Sequence, residues 1–294
     1  MSAKIIDGKK TAEEIRANLR KEVEALAKEN VIPKLTAVLV GDDPASKAYV
    51  SMKGKACQKL AMASETITMV ANTTEKSLLN VVDDLNHDPT VHGILVQLPL
   101  PKHIRADQII MAILPEKDVD GLHPINKGKL VMGEDCLVPC TPLGVQQLLL
   151  HNGFSFKGKH VVIAGRSQLV GMPLAIMLAQ KKPTANATVT LCHSATPDLK
   201  AFTAQADILI AAMGSAYFIT KDMIKPGAVV VDVGTSRVDD PTVERGYRLA
   251  GDVDYQAALE VASAITPVPG GVGPMTITMV LANTIQAAKM SMLK

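Results

Sequence analysis

In the stretch Pro44-Ala-Ser-Lys-Ala-Tyr49-Val-Ser-Met-Lys53-Gly-Lys-Ala-Cys57-Gln-Lys-Leu60, the residues Tyr49, Lys53 and Cys57 recur four apart. On a helix that spacing puts them on one face with Ala56 and Leu60, and the face is mostly apolar. Lys47, Lys55 and Lys59 fall elsewhere and can be solvated, whereas Lys53 must either snorkel its ammonium to water or stand in a cleft. In a cleft, desolvation lowers an amine's pKa toward the range useful for proton transfer. Gly54, a poor helix former, predicts that something packs closely beside it.

Other polar residues stand where a sheet protein keeps its ligands. Gly93-Ile-Leu-Val-Gln97 is an apolar run with one amide at its C-terminal end, the end at which open α/β sheets bind. Asp118-Val-Asp120-Gly-Leu-His123 offers two carboxylates and an imidazole. Such a set can ligate a metal, and in a turn-rich segment it also serves as capping and turn groups.

A second kind of chemistry is written at His160-Val-Val-Ile-Ala-Gly165-Arg-Ser-Gln-Leu-Val-Gly171-Met-Pro173. A buried strand enters a glycine turn and then an apolar helix with Pro173 in its first turn, where the missing N–H costs nothing. The free N–H groups of that turn, with the helix dipole, can receive a phosphate. The spacing Gly165-x5-Gly171 differs from the usual dinucleotide fingerprint, so by itself it is also compatible with an ordinary strand-to-helix turn. An NAD site places an acid at the end of the second strand. Here that strand ends Cys192-His193-Ser194, and Arg166 follows the turn glycine directly. A hydroxyl and a guanidinium favour a 2′-phosphate, hence NADP over NAD; the alternative is a surface arginine and a turn-forming serine.

The elements needed to position these groups follow from periodicity. Helices are expected over Thr11 to Asn30, with Thr11-x-x-Glu14 as capping box, from Pro44 with Asp43 as N-cap, over Ser77 to Asn86, and from about Gly144 to His151. Strands are expected at Leu35 to Val40, Thr66 to Val70 and from Gly93, then near Val161, at Thr188 to Cys192, Asp207 to Ala211 and Ala228 to Val233. The later strands alternate with helical intervals in a doubly wound pattern, and Pro139-Cys-Thr141-Pro142 reads as a domain boundary. Thr266-Pro-Val-Pro-Gly270-Gly-Val-Gly273-Pro274-Met-Thr276 feeds a last apolar helix with Pro274 as its first residue.

Composition narrows the class. With 294 residues, 47% hydrophobic, the chain can bury two moderate cores. A net charge of +2, three per cent aromatics and no Trp argue against nucleic acid as a partner. No apolar run approaches the roughly 20 residues of a membrane span and the N-terminus has no signal-like run, so a cytoplasmic protein without a membrane partner is expected. Cys57, Cys136, Cys140 and Cys192 lack the partners of a structural zinc site and read as buried or idle thiols; no metal is expected.

Eight segments in order resemble the bifunctional methylenetetrahydrofolate dehydrogenase/cyclohydrolase family, across nearly the whole chain: PASKAYVSMKGKA, GILVQLPLP, PEKDVDGL, PCTPLG, GRSQLVGMP, TVTLCHSAT, KPGAVVVDVG and TPVPGGVGPMT. The resemblance implies two α/β domains with a cleft between them. Residues 1–143, completed by 270–294, would form the catalytic, folate-binding domain. Residues 144–269 would form a Rossmann-like NADP domain with a doubly wound parallel sheet. It implies NADP-dependent oxidation of 5,10-methylenetetrahydrofolate, hydrolysis of the methenyl product to 10-formyltetrahydrofolate, and a homodimer. By position Lys53 matches the catalytic lysine, Gln97 its partner, Tyr49 the tyrosine against the folate and Asp120 the pterin-binding carboxylate. Gly273, Pro274 and Thr276 would also meet the substrate. Thr141, Gly165, Arg166, Ser167, Gly171, Ser194, Gly214 and Thr235 would meet the cofactor, Arg166 and Ser194 at the 2′-phosphate, with Thr235 standing where the family commonly has isoleucine. Two other readings compete: a monofunctional NAD-linked dehydrogenase, separated by whether methenyltetrahydrofolate is hydrolysed, and a nucleotide-sensing module, for which Lys53 and Gln97 would be needless.

Overall fold

The computed structural model of the protein describes residues 2–244 and 246–293. The chain opens with β1 (Lys4–Ile5) and α1 (Gly8–Lys28), then alternates β2 (Lys34–Val40), α2 (Pro44–Lys59), β3 (Ala63–Met69), α3 (Glu75–His87) and β4 (Gly93–Val96). Helices α4 (Ala106–Ala112), α5 (Pro124–Met132) and α6 (Cys140–His151) precede β5 (His160–Ala164), α7 (Gly171–Ala179), β6 (Thr188–Cys192), α8 (Leu199–Thr203), β7 (Ile208–Ala211) and β8 (Val229–Asp232). A ribbon of β9 (Ser236–Asp239) and β10 (Tyr247–Ala250), the short α9 (Tyr255–Ala258), β11 (Ala264–Ile265) and α10 (Val272–Ser291) complete it.

Two compact units result. Met1–Glu13 joins Thr141–Thr276 in what we call the glycine-turn unit, and Glu14–Cys140 joins Ile277–Lys294 in the lysine unit. The breaks fall at 140/141 and 276/277, against 143/144 and 269/270 expected from sequence, and residues 1–13 go with the glycine-turn unit. Pairing is the reason: β1 lies parallel to β11, Lys4 opposite Ala264 and Ile5 opposite Ile265, and Gly8 sits so close to the Gly271 carbonyl that a Cβ would overlap it. A two-residue strand has no periodicity to read, so only its distant partner reveals it.

Among the described residues the lysine unit holds a parallel sheet in the order β3-β2-β4. Val38, Val40, Ile94 and Val96 pack beneath Leu78, Val82 and Leu85 of α3 and Ile109 of α4, the inward stripe that the 3.6-residue period predicts. The glycine-turn unit holds the parallel order β1-β11-β8-β7-β5-β6, with β9 and β10 as a separate antiparallel pair. Val162, Leu209, Val230 and Ile265 are buried on one face of that sheet against Ile219, Ile224, Val253 and Ala258. Its order reverses between β5 and β7, which makes the C-terminal ends of those two strands the crevice in which doubly wound sheets bind nucleotides.

Two local expectations change. The first helix starts at Gly8 because Asp7 caps it, its Oδ1 accepting the Lys9 and Lys10 N–H groups at 2.9 and 3.0 Å. Thr11 is therefore inside the helix, its hydroxyl donating to the Asp7 carbonyl, and forms no capping box with Glu14. The last helix begins at Val272, which puts Pro274 in its first turn, two residues after its start. Among the described residues no helix is long and apolar enough to cross a membrane.

Candidate active site

Helix α2 begins as its sequence dictates: Asp43 Oδ2 accepts the Ser46 N–H at 2.8 Å and Pro44 is its first residue. The start fixes the rotation, and Val50, Lys53, Ala56 and Cys57 all turn inward. Lys53 does not snorkel, being only 4% exposed. The close packing expected at Gly54 is absent: a Cβ there would find Ser64 Oγ at 4.0 Å and nothing nearer. Gly54 is simply a weak helical position.

The buried ammonium donates to Gln97 Oε1 at 3.2 Å, and the other end of that amide is committed, Nε2 donating to the Leu98 carbonyl at 2.7 Å. Gln97, one residue beyond β4, is thereby held with its oxygen toward the lysine. One turn back on α2, the Tyr49 ring faces the ammonium with its centroid 4.6 Å from Nζ. Burial lowers the Lys53 pKa, opposed by the charge of Asp120. Burial raises the Tyr49 phenol, with Asp120 adding to the effect. Tyr49 therefore stays protonated while Lys53 is poised to lose its proton.

The D-x-D-x-x-H loop divides its labour. Asp118 is a holder: its carboxylate accepts the Leu122 and His123 N–H groups at 3.1 and 2.8 Å and the Asn126 side-chain amide at 2.9 Å. His123 caps α5, its Nδ1 accepting the Ile125 N–H at 3.0 Å. Asp120 is left for the site. Burial pushes its carboxyl up, and Lys53 pulls it back. Two residues here escaped the sequence reading. Cys140, whose thiol is held neutral by burial and by the charge of Asp120, is anchored by its Sγ donating to the Val119 carbonyl at 3.1 Å. Asn283 of α10 donates to the Val119 and Val138 carbonyls, both at 2.8 Å, clamping the two segments that carry Asp120 and Cys140. Gly121, at φ +70, lets those segments meet, since a Cβ would overlap the backbone at Val138 and Pro139. The signal for Cys140 lay in PCTPLG; nothing local marks Asn283.

In the glycine-turn unit, Gly165 adopts φ +125 at the end of β5, where a Cβ would overlap the Ala212 carbonyl oxygen, and a Cβ on Gly171 would overlap that of Gly165. Both glycines are thus demanded by close approach of backbone. Ser167 Oγ accepts the Val170 N–H at 3.1 Å, and no side chain caps α7. The free amides expected in the first turn of α7 are largely taken: the Met172 N–H donates to the Ser167 carbonyl at 3.1 Å, that of Leu174 donates to the Val170 carbonyl at 3.0 Å, and Pro173 has none to offer a phosphate. Ala164 pairs with Cys192, and Arg166 and Ser194 each lie two positions past that last pair, both exposed. A guanidinium and a hydroxyl there, with no Asp or Glu ending β6, are groups that suit a 2′-phosphate. Gly214, past β7 at φ +70, has open space over its Cα, and Thr235, past β8, is exposed. Thr141 at the start of α6 meets Thr276 of α10, hydroxyl to hydroxyl at 3.1 Å; Pro274 is half-buried and Gly273 exposed in the same helical turn.

Under Gly214 and Thr235 lies a pair of acids that the sequence reading did not single out. Asp252 is fully buried, Oδ2 accepting the Met213 and Gly214 N–H groups at 2.6 and 3.0 Å and Oδ1 that of Ser215 at 2.7 Å. Asp232 accepts the Gly234 and Asp252 N–H groups on Oδ1 at 3.0 and 2.9 Å and the Val253 N–H on Oδ2 at 2.9 Å. Burial pushes the Asp232 carboxyl up to about 6.

A groove of about 500 Å³ lined by Phe154, Lys159, Lys225 and Val229 opens at the opposite, N-terminal ends of β5, β7 and β8. Its carboxylate, Asp207, already accepts from Lys225 at 2.6 Å and from the His160 N–H at 3.0 Å. The groove lies at the opposite ends of these strands from the glycine turns.

The family model described as tetrahydrofolate dehydrogenase/cyclohydrolase, catalytic domain, matches residues 6–120, and its NAD(P)-binding domain counterpart matches residues 139–292. A relative named bifunctional protein FolD from Chloroherpeton thalassium is 55% identical over 286 residues, 96% of this chain and 97% of that protein. The crystal structure of the bifunctional FolD enzyme, methylenetetrahydrofolate dehydrogenase/cyclohydrolase, from Campylobacter jejuni superposes with a TM-score of 0.92 at 45% identity, covering 98% of this chain and 99% of that one. The methylenetetrahydrofolate dehydrogenase-cyclohydrolase of Trypanosoma brucei, complexed with NADP cofactor and an inhibitor, superposes with a TM-score of 0.94 at 39% identity over 100% of both chains.

Proposed function

From the chain's membership of the tetrahydrofolate dehydrogenase/cyclohydrolase family, we propose that it performs both family reactions: NADP-dependent oxidation of 5,10-methylenetetrahydrofolate to the methenyl cation, and hydrolysis of that cation to 10-formyltetrahydrofolate. The observation that carries the second activity is the buried Lys53 ammonium on Gln97 Oε1 at 3.2 Å.

NADP, when bound, would supply the acceptor for the hydride that leaves the methylene carbon. Arg166 and Ser194 would hold its 2′-phosphate, and the glycine turn with Gly165, Ser167 and Gly171 would meet its backbone phosphates; Thr141, Gly214 and Thr235 would complete the contacts. No proton moves in that step, so the protein's task is orientation. Asp120 binds the pterin's N–H groups and the Tyr49 ring lies against the folate, with Gly273, Pro274 and Thr276 as further substrate contacts. In hydrolysis, water adds to the cationic methenyl carbon and must lose a proton, and a ring nitrogen must leave as an amine. Lys53 takes the first proton and returns one to the departing nitrogen. Its lowered pKa makes the neutral amine accessible, and the cationic intermediate lowers it further. Gln97 fixes the amine's position throughout.

One assay tests the whole reading: purified protein with methylenetetrahydrofolate and NADP, followed at one wavelength for NADPH and another for methenyltetrahydrofolate. NADPH should accumulate while the methenyl signal stays low. Methenyl accumulation in step with NADPH would exclude the cyclohydrolase. The reading extends to a homodimer, supported by the family resemblance and tested by light scattering.

A further inference from the structure

Three successive backbone N–H groups turned toward one point make an anion-binding concavity, the device that phosphate sites use. The turn Met213-Gly214-Ser215, at the end of β7 beside the cofactor crevice, is such a device, and it is already filled. The occupant is the carboxylate of Asp252, at 2.6 to 3.0 Å from all three nitrogens. A cofactor phosphate cannot use these amides. Gly214 can therefore serve a cofactor only through the open space over its Cα, where a Cβ would meet nothing within 4 Å.

The filling is built in from several directions. Asp232 accepts the Asp252 N–H at 2.9 Å and, with the Gly234 and Val253 N–H groups, ties the β8 end to the 250–253 segment. Its own N–H donates to Thr266 Oγ1 at 2.8 Å. Two glycines exist to admit the acids: a Cβ on Gly251 would overlap the Asp232 carboxylate, and one on Gly234 that of Asp252. Both carboxylates are at most 3% exposed, and all their hydrogen-bond donors among the described residues are backbone amides. Fixing the turns at Gly214 and before Thr235 is what this arrangement accomplishes.

We infer that Asp252 is a positioning residue for the dinucleotide, an internal anion that sets the 213–215 turn against the cofactor and leaves charge recognition of its phosphates to Arg166. This rests on the NADP reading above, but hydrolysis of methenyltetrahydrofolate needs no cofactor, so the two are separable by experiment.

The test compares the parent protein with Asp252→Asn, which keeps the side chain's shape and replaces one acceptor oxygen with a donor. NADPH binding is measured by fluorescence on the protein without substrate, alongside KM for NADP, the dehydrogenase kcat, methenyltetrahydrofolate hydrolysis and the melting temperature. The dissociation constant for NADPH and the KM for NADP should rise together by about tenfold or more, the usual cost of a lost charge-assisted contact, with kcat at saturating cofactor and hydrolysis within about twofold of the parent. Unchanged NADPH affinity with a lowered melting temperature would overturn the inference and make Asp252 a folding residue only. A parent protein that bound no NADPH would instead overturn the NADP reading. Should the variant not fold, amide hydrogen exchange on the parent decides. Residues 213–215 should be protected before NADPH is added and gain nothing on its addition; exposed amides that become protected only with NADPH would sink the inference.

Discussion

Lys53 is buried against one side-chain acceptor among the described residues, Gln97 Oε1 at 3.2 Å, and one aromatic face, whereas Asp232 and Asp252 are buried beneath six backbone N–H donors. An ammonium has three hydrogens to place and Lys53 has placed one. A carboxylate offers about four acceptor positions, and each of these acids has filled three. The contrast separates two uses of a buried charge. An under-coordinated one pays a desolvation cost that chemistry relieves, by giving up its proton or by meeting a substrate. One held by several backbone amides is fixed in place, and what it governs is the geometry of the loops that donate to it.

The sharpest way to break this contrast is Lys53→Met, which keeps the stem and removes the charge. Hydrolysis of methenyltetrahydrofolate should fall by roughly 10² to 10⁴, the usual worth of an acid/base group, while hydride transfer persists in part and the melting temperature holds or rises. Near-parental hydrolysis would end the mechanism. The same variant sharpens the electrostatics. Because burial lowers the Lys53 pKa in the folded protein, the unfolded chain binds the extra proton between that value and the ordinary 10.5. Lys53 therefore makes stability rise with pH across that window, and the substitution should remove this rise in denaturant titrations taken up to pH 10. The parent's hydrolysis rate should climb with pH to a midpoint below 10.5, as the neutral amine forms.

Asp120→Ala comes next in size. On the proposed function it would remove a pterin contact, and it removes the charge that holds the Lys53 pKa up. The folate KM should rise in both activities, by about 10- to 100-fold if two charge-assisted bonds are lost. Loss of hydrolysis alone, with folate binding intact, would assign Asp120 to proton transfer. Arg166→Ala probes the other region. With the 213–215 amides taken by Asp252, phosphate charge should be read by exposed Arg166, so NADP affinity should drop about tenfold while NAD affinity barely moves. Equal losses for both would make the arginine structural.

The smallest effect is expected at Gly54→Ala. A Cβ there finds nothing closer than 4.0 Å, so helix propensity alone should act and stabilise α2 by up to about 1 kcal/mol. Equilibrium unfolding measures this, and a destabilised variant would show that the helix does not sit as described.

Much of the lysine site was legible because a helix converts sequence spacing directly into a shared face: Tyr49 and Lys53 are one turn apart, and Asp43 with Pro44 fixes where that turn begins. Gln97 was legible because the end of a buried strand is a recurrent ligand position. The turn at Gly165 was legible too, since only a few residues tolerate such a backbone. Asp118 and Asp120 were not separable by residue type and spacing, and only the family resemblance picked out Asp120, because their roles depend on which of them the later Leu122, His123 and Asn126 donors reach.

Local sequence settles whatever depends on neighbours within about a turn of helix or one strand: the α/β alternation, the buried face of α2, the glycine turn after β5 and the missing acid at the end of β6. Tertiary structure alone decided the pairing of β1 with β11, the clamp by Asn283 on the Asp120 segment, and the stacking of Asp252 on Asp232. Each of these joins positions far apart in the chain through backbone groups, and every residue has the same backbone. Side-chain type carries no mark of which distant N–H or carbonyl it will meet until the sheet order is set.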